Sequence, residues 1–430
     1  MNILICSYAY PPISSPGAMR VYHFAKGLAD SGHNVTVLTT SNGYSSMISD
    51  VIPKEENIDV IRVRDVVPKN RLTEPAAQNL KKETAASGFK RFIKKIIVRI
   101  ASALIYPDRD ITWLLPAYLN KKVRSKKFDV VLGSYPYATN LVLAAMVAKL
   151  KSAKLVLDIR DLWTEEAELS GRKGIREAVD KKLEGWVFRQ AHGLVSVSEV
   201  NADYLDNKLR RYDFQPKIVV VRNGFDFDKI AGIREKLGVR DKNERFTVAY
   251  AGSFYGGERD PRDMFKVLSS LKRAGMINSS NFNFVIYGPK DPVVELWAGE
   301  LNVLELVNFV GVLPQTALFE KLLDADLLFV VTRKAVISAG EMTTKVYEYI
   351  GLGPEILCLC QRGYEIEKVM NEVVGAEVVH FGDLENIERV VSTMIKGWKE
   401  AVGPSYRRPL SLDFSREQGA RELSCFLDTL

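Results

Sequence analysis

Short apolar runs alternate with amphipathic stretches along the whole chain. The runs are rich in Val, Ile and Leu and almost continuously apolar, which is typical of parallel strands buried on both faces. In the first half this pattern predicts strands at 3–6, 35–39, 60–63, 130–133, 155–159, 194–197 and 218–221, and helices at 18–31, 140–151 and 177–191.

The second half repeats the alternation. Strands are predicted at 247–251, 284–287, 307–310, 327–331, 356–360 and 377–380, and helices at 261–273, 315–323, 344–352 and 384–398. A polar break at 226–245 separates the halves, and an amphipathic stretch at 416–430 ends the chain. The pattern predicts an α/β protein with two doubly wound domains, 1–226 and 227–408, and a C-terminal segment, 409–430.

Open parallel sheets bind ligands at the carboxyl ends of their strands, and two such domains facing each other would form a cleft. After the first strand, Gly17 stands where a helix begins, and backbone N–H groups at such an end can hold a phosphate. The alternative is a simple turn glycine. After the fifth strand, Asp158, Arg160 and Asp161 follow one another closely. They are candidates for chemistry in a cleft, or for an Arg–Asp pair that pins the loop.

The first loop of the second half combines glycine with arginine. Gly252 and Ser253 open it, and Arg259 and Arg262 lie near its end. Flexible backbone with guanidinium groups suits a diphosphate, which arginine can bind with two parallel hydrogen bonds. The alternative is a solvated basic loop.

A lysine and a glutamate open the predicted helix at 344–352. Lys345 and Glu348 are three residues apart and share a face of this helix. A lysine near a helix N-terminus is electrostatically disfavoured unless an anion binds there, and a carboxylate one turn later can accept hydrogen bonds from ribose hydroxyls. The alternative is an exposed ion pair of little energetic value.

The composition excludes several classes of protein. The 430 residues are 47% hydrophobic and 26% charged, as in ordinary globular proteins. The longest apolar run, 141–148, is far shorter than the ~20 residues of a transmembrane helix, and the first residues are predicted to form a strand rather than a signal peptide.

Four scattered cysteines are expected to be buried, reduced thiols in a cytoplasmic protein. The four histidines never cluster, so no metal site is predicted.

The net charge of +7 comes from one segment. Residues 81–127 contain thirteen basic and three acidic residues, so the remainder of the chain is slightly acidic. Within it, an amphipathic helix is predicted at 89–104, and its basic face carries Lys90, Arg91, Lys94, Lys95 and Arg99. This pattern favours an anionic membrane surface over nucleic acid. The alternative is a core-packing helix with a solvated face.

A series of motifs runs through most of the chain. It comprises Tyr-Pro-Pro at 10–12 with Gly-Ala at 17–18, the stretch 31–39, Pro-Asp at 107–108 with Trp113, Asp-Ile-Arg-Asp-Leu-Trp at 158–163, Asn-Gly-Phe-Asp at 223–226, the loop 252–261, and Lys-Val-Tyr-Glu-Tyr at 345–349. Taken together, these motifs resemble the family 4 retaining glycosyltransferases of the GT-B fold, especially bacterial enzymes of lipopolysaccharide, capsule or exopolysaccharide synthesis.

The resemblance implies two Rossmann-like domains facing across a cleft. An acceptor-binding domain comes first, a nucleotide-sugar-binding domain second, and the C-terminal helix packs back on the first domain. A UDP-sugar is the favoured donor and a GDP-sugar is possible. No metal or other cofactor is expected.

The resemblance also implies roles for particular residues. Arg259 and Lys345 would neutralise the diphosphate, Glu348 would bind the ribose, and Asp161 or Arg160 would orient the acceptor or sugar. The other donor contacts would come from Gly17, Gly252, Ser253, Thr344, Gly288 with Pro289 and Lys290, and the main chain at Val310 and Gly311.

Three features depart from the family pattern. Gly340 stands eight residues before Glu348, where many members have a second glutamate, and Glu341 is only seven before it. Ser253 and Glu258 stand where many members have Arg and Lys, so Arg259 or Arg262 must substitute. Arg160 replaces a common histidine.

The expected activity is metal-independent transfer of a sugar, with retention, to a glycan or polyprenyl-diphosphate-linked acceptor at the inner face of the cell membrane. Two alternatives remain: a GT-B sugar-nucleotide epimerase, and a non-catalytic sugar-nucleotide-binding subunit of a polysaccharide assembly.

Overall fold

The computed structural model describes residues 1–13, 15–42, 57–67, 106–164, 174–211, 214–238, 241–335, 339–401 and 407–430. These residues form two compact units. Unit 1 comprises Met1–Val197, Asn201–Arg222 and Gly419–Leu430, and unit 2 comprises Ser198–Val200 and Asn223–Gln418. The predicted basic helix with Lys90, Arg91, Lys94, Lys95 and Arg99 lies outside the described residues.

The described part of unit 1 contains a seven-stranded parallel sheet in the order β3-β2-β1-β4-β5-β6-β7. Its strands are β1 (Asn2–Cys6), β2 (Asn34–Thr40), β3 (Ile58–Val63), β4 (Val130–Ser134), β5 (Lys154–Ile159), β6 (Ala191–Ser196) and β7 (Lys217–Val220). The central strand β1 pairs with β2 on one side and with β4 on the other, and Ile3 lies opposite both Val35 and Val130. The chain reverses its direction of winding between β1 and β4, which is where such sheets bind ligands.

Helices pack on both faces of this sheet. They are α1 (Pro16–Asp30), α2 (Ile111–Tyr118), α3 (Lys121–Ser125), α4 (Ala138–Lys151), α5 (Ile175–Phe188) and α6 (Glu199–Arg210). Helix α1 begins at a Ser15 cap, whose side chain accepts a hydrogen bond from the Ala18 N–H, with Pro16 in the first turn. This start fixes Gly17 at the helix N-terminus.

The described part of unit 2 contains a six-stranded parallel sheet with the same winding, in the order β10-β9-β8-β11-β12-β13. Its strands are β8 (Phe246–Ala251), β9 (Phe282–Tyr287), β10 (Val307–Gly311), β11 (Leu327–Val331), β12 (Glu355–Cys360) and β13 (Ala376–His380). The change of direction falls between β8 and β11. The loops that follow these two strands are therefore expected to flank a ligand site.

The helices of unit 2 are α7 (Phe227–Leu237), α8 (Arg262–Arg273), α9 (Pro292–Glu300), α10 (Gln315–Leu323), α11 (Thr344–Leu352), α12 (Glu365–Asn371) and α13 (Leu384–Glu400). A short 3₁₀ helix, Leu304–Leu306, precedes β10. Two apolar cores lie on the two faces of the sheet.

The last helix, α14 (Arg416–Asp428), belongs to unit 1 from Gly419 onward. Ala420, Leu423, Phe426 and Leu427 are buried in the same apolar cluster as residues of α1 and β1. The expected return of the C-terminal helix to the first domain is thus confirmed.

One helix was not predicted from the sequence, and one sequence-based expectation is wrong. The polar break at 226–245 contains α7, which is capped by Asp226 and buries Ile230 and Ile233. Cys6, Cys358 and Cys360 are buried free thiols as expected, but Cys425 is exposed because it lies on the outer face of α14.

Within the described ranges, no helix has both the length and the apolar character that a membrane crossing requires.

Candidate functional site

A pocket lies at the carboxyl end of the sheet of unit 2, between the loops that follow β8 and β11. Its polar lining comes from these loops and from the start of α11, and consists of Arg259, Thr332, Arg333, Glu341, Thr343 and Lys345. The pocket therefore coincides with the change of winding direction, as expected for a doubly wound sheet. It brings together Arg259 and Lys345, which are 86 residues apart in sequence.

Lys345 is held against the backbone that leaves β8. Its Nζ donates to the Ala251 carbonyl oxygen at 3.3 Å and lies 4.2 Å from the centroid of the Tyr250 ring. Burial, and then the positive charge of Arg259, hold the pKa of Lys345 well below its usual value. The ammonium group also stands in the first turn of α11, where the helix dipole disfavours a cation. The charge of an anion bound in the pocket would offset all three effects.

Arg259 is 6% exposed and points into the same pocket. Its Nη2 donates to Glu341 Oε1 at 3.1 Å, and its guanidinium carbon lies 5.0 Å from the centroid of the Tyr255 ring. Arg262 is placed differently, since it forms an ion pair with Asp260 at 2.8 Å and stacks on Trp297. Of the two arginines that the sequence suggested, Arg259 is the one beside Lys345.

Glycine allows the backbone at residue 252 to approach the lysine, and the backbone at residue 288 to approach residue 252. Gly252 adopts φ +128°, and a β-carbon on it would lie 3.4 Å from Lys345 Nζ. A β-carbon on Gly288 would lie 2.2 Å from the Gly252 carbonyl oxygen, so only glycine fits there. The Ser253 hydroxyl accepts from the Tyr255 N–H at 3.0 Å and shapes the loop.

The residues expected near the base lie around the ends of two neighbouring strands. Gly288 follows β9, and Gly311 ends the adjacent β10 with φ +94°. Val310 is 43% exposed. Lys290 forms an ion pair with Glu295 at 2.8 Å.

Glu348 lies one turn beyond Lys345 on α11, whose first residue is Thr344. Its Oε1 accepts from Gln315 Nε2 at 3.3 Å, and Gln315 Oε1 accepts from Lys229 Nζ. Burial raises the pKa of Glu348, while Arg416 and Lys229 oppose the shift. Lys345 and Glu348 form no ion pair with each other in the described structure. The alternative interpretation of the two residues as an exposed ion pair is therefore wrong.

In unit 1 the structure brings Gly17 and Arg160 together. A β-carbon on Gly17 would lie 2.6 Å from Arg160 Nη1. Burial lowers the pKa of Arg160, and the nearby Asp158 and Asp161 oppose this. Asp161 itself is exposed at the end of the loop.

The suggested Arg–Asp pair exists, but with a different arginine. Asp158 is fully buried and forms an ion pair with Arg20 of α1 at 2.9 Å. The Ser134 hydroxyl also donates to Asp158, at 2.8 Å. Asp158 therefore ties α1 to the sheet and leaves Arg160 beside Gly17.

Sequence reasoning missed Arg333, Lys229 and Gln315, and treated Glu341 only as a departure from the family pattern. Arg333 lies two residues beyond β11. The same search for charged residues at the carboxyl ends of the strands could therefore have found it. Among the described residues, no group of three or more His, Cys, Asp or Glu side chains could hold a metal ion.

Residues 17–224 match the family model described as "Glycosyl transferase 4-like domain". This part of the chain is similar to a glycosyl transferase 4-like domain, which confirms the resemblance to family 4. The matched range contains Gly17, Asp158, Arg160 and Asp161. The sequence matches none of the curated proteins.

Solved structures match over the whole chain. Anabaena Alr3699/HepE in complex with UDP is 14% identical, with a TM-score of 0.57 and full coverage of both chains. The lipopolysaccharide outer core galactosyltransferase WaaB, in its apo form, is 10% identical, with a TM-score of 0.54 and full coverage of both. UDP-GlcNAc 2-epimerase from Methanocaldococcus jannaschii is 12% identical, with a TM-score of 0.50 and coverage of 100% of this chain and 99% of that one. The matched range 17–224 is thus part of a chain with the GT-B fold.

Proposed function

We propose that the chain is a retaining glycosyltransferase that moves a sugar from a nucleotide-sugar donor to a glycan or lipid-linked glycan acceptor in bacterial surface polysaccharide synthesis. The observation that carries this proposal is the pocket of unit 2, where Arg259 and Lys345 meet beside the close backbones of Gly252 and Gly288. Two cations beside glycine backbone at the change of winding direction suit a diphosphate.

In this mechanism the bond between the sugar and the donor diphosphate breaks through an oxocarbenium-like state. Arg259 and Lys345 stabilise the negative charge that develops on the departing diphosphate, and they need no metal ion for this. The acceptor hydroxyl then attacks from the face that the leaving group vacates, and its proton passes to the oxygen of the departing diphosphate. Retention is the outcome that the family resemblance implies.

The glycosyl transferase 4-like domain would bind the acceptor. Asp161, which is exposed, or Arg160 would orient the acceptor or the sugar, and Gly17 would approach the donor phosphate. Arg160 cannot serve as a base because its guanidinium stays protonated. Glu348 would accept hydrogen bonds from the ribose hydroxyls.

A UDP-sugar is the favoured donor, and a GDP-sugar is the alternative. The structurally similar HepE has been solved with UDP and with UDP-glucose, which supports the choice of UDP. WaaB is named as a galactosyltransferase of the lipopolysaccharide outer core, which supports a surface-polysaccharide acceptor. Gly288 and Gly311, at neighbouring strand ends, would lie near the base.

The chain would act at the inner face of the cell membrane. Helix α3 presents exposed Lys121, Lys122 and Arg124, and the preceding residues Leu115 and Leu119 are 58% and 48% exposed. Exposed leucines beside lysines and arginine suit an anionic lipid surface. Flotation with anionic vesicles at moderate salt tests this association, and absence of binding would contradict it.

The activity is tested by incubating the chain with UDP- and GDP-sugars and a polyprenyl-diphosphate-linked glycan. We expect a glycosylated acceptor with the anomeric configuration of the donor. Arg259→Ala and Lys345→Ala should each lower kcat by about 100-fold or more. Near-wild-type turnover in both variants would contradict these roles.

The same reactions separate the two alternatives. The GT-B fold is shared with a UDP-GlcNAc 2-epimerase, so the fold alone does not select the reaction. An epimerase would convert the nucleotide sugar without an acceptor, whereas a non-catalytic binding subunit would leave it unchanged.

A further inference from the structure

A carboxylate lies between two arginines in the pocket of unit 2. Glu341 Oε1 accepts from Arg259 Nη2 at 3.1 Å, and Glu341 Oε2 lies 3.7 Å from Arg333 Nη1. Each carboxylate oxygen thus faces a different guanidinium. The proposed function uses Arg259 but assigns no role to Arg333 or Glu341.

The backbone fixes the two arginines side by side. Arg259 and Arg333 form an isolated antiparallel bridge between the loops that follow β8 and β11. Their guanidinium carbons lie 5.0 and 4.9 Å from the centroid of the same ring, that of Tyr255. The pair is therefore built into the fold at the change of winding direction, and Lys345 lines the same pocket.

The carboxylate is more exposed than Arg259, whose side chain is 8% exposed. Glu341 belongs to the loop before α11 rather than to a helix or strand, and its side chain is 33% exposed. Arg333 has a second acidic neighbour, since Glu258 Oε2 lies 3.0 Å from its Nε, but the Glu258 side chain is 62% exposed. Partly exposed ion pairs of this kind are weak. A diphosphate offers more oxygens and more charge, and arginine binds phosphate with two parallel hydrogen bonds.

We propose that Arg333 binds the diphosphate together with Arg259 and Lys345, and that Glu341 occupies the position between the two guanidinium groups until the diphosphate displaces it. Arg333 is then a third cationic ligand of the leaving group. Glu341 keeps the two arginines aligned in the free protein and competes with the donor. This inference rests on the proposed function, because it takes the diphosphate of a nucleotide sugar as the ligand.

Calorimetric titration of the full chain with inorganic pyrophosphate, UDP and uridine tests the inference. Arg333→Met should weaken pyrophosphate and UDP binding by about tenfold or more and leave uridine binding unchanged, because uridine has no phosphate. Arg333→Lys should restore part of the loss. Glu341→Gln, which keeps the side-chain shape, should tighten pyrophosphate binding by about threefold to tenfold because the competing charge is gone.

The neighbouring cation provides a matched control. Lys334 forms an ion pair with Asp260 at 3.0 Å and does not line the pocket. Lys334→Met should therefore bind pyrophosphate as the wild type does, and thermal melts should show that all four variants are folded.

Several results would overturn the inference. They are equal pyrophosphate affinity in Arg333→Met and Lys334→Met, weaker pyrophosphate binding in Glu341→Gln, and no pyrophosphate binding by the wild-type chain. Binding that follows the expected pattern without any sugar transfer would contradict the proposed function and leave the inference intact. Sugar transfer with an unchanged donor KM in Arg333→Met would contradict the inference and leave the proposed function intact.

Discussion

The guanidinium of Arg160 lies directly against Gly17, at the N-terminus of α1. A β-carbon at residue 17 would come within 2.6 Å of Nη1 and 2.7 Å of Nη2. The positive end of a helix and a guanidinium repel each other, and both attract an anion. Gly17 and Arg160 are 143 residues apart in sequence, and both were candidate site residues from the sequence alone. Because a larger residue at position 17 would displace the Arg160 guanidinium, substitution of Gly17 tests whether the position of Arg160 matters for activity.

Gly17→Ala should lower kcat/KM for the nucleotide sugar by about 10-fold to 100-fold, because the new methyl group displaces the Arg160 side chain. Steady-state kinetics at several donor concentrations measure this. In an Arg160→Ala background the same substitution should lower kcat/KM much less, since the guanidinium that the methyl group would displace is absent. Gly397→Ala is the matched control because a β-carbon there meets no atom within 4 Å. Equal losses in the two backgrounds would show that Gly17 acts independently of Arg160.

Lys345→Met should stabilise the chain while it abolishes binding of the diphosphate. Burial holds the pKa of Lys345 well below its usual value, so the folded state binds the proton of this lysine more weakly than the unfolded chain does. We expect the free energy of unfolding to rise by about 1 kcal/mol, measured by denaturant titration.

The pH dependence of this gain has a definite sign. The gain should be greatest below the folded-state pKa of Lys345 and should shrink as the pH rises from there toward the unfolded-state pKa. A destabilised Lys345→Met variant would contradict the burial argument.

UDP binding should be accompanied by proton uptake at alkaline pH. A bound diphosphate favours the charged form of Lys345 and so raises its lowered pKa. At a pH well above about 6, the pKa of the terminal phosphate, UDP itself takes up no proton. Any proton taken up on binding is therefore taken up by the protein. Calorimetry in two buffers of different ionisation enthalpy measures it. Lys345→Arg, which stays protonated, should bind UDP without uptake. Equal uptake in this variant would assign the proton to another group.

The ribose site should lose affinity as the pH falls through the pKa of Glu348. Burial raises this pKa, and the hydrogen bond from Gln315 works against the shift. Gln315→Leu should therefore move the midpoint for loss of uridine binding to higher pH, because the carboxylate loses a donor. Glu348→Gln should remove the dependence. A midpoint that stays at the same pH in Gln315→Leu would show that Gln315 does not tune Glu348.

Continuous apolar patterns made much of the fold predictable. Strand β11 (Leu327–Val331) and helix α11 (Thr344–Leu352) have the predicted bounds. Helix α7 was missed because only Ile230 and Ile233 of its residues are buried, although Asp226 and Gly238 are typical capping residues.

The partners of the site residues were harder to predict. The ion pair between Asp158 and Arg20 joins residues 138 positions apart, which no local pattern encodes. Likewise, Glu341 and its two arginines come from different loops. The sequence indicated which loops carry charge at the sheet edge, while the pairing of those charges depends on the packed structure.

The packing of α14 on α1 depends on a small residue at position 27. A β-carbon on Gly27 would lie 2.2 Å from the β-carbon of Ala420. Gly27→Ala should therefore lower the free energy of unfolding by about 1–3 kcal/mol, as overpacking does. Ala420→Gly removes the opposing methyl group and should recover part of this loss in the double variant, despite the lower helix propensity of glycine. Denaturant titrations of the four chains give the coupling energy. Additive effects would show that α14 can shift to accommodate the methyl group, and that its contact with α1 is not a close fit.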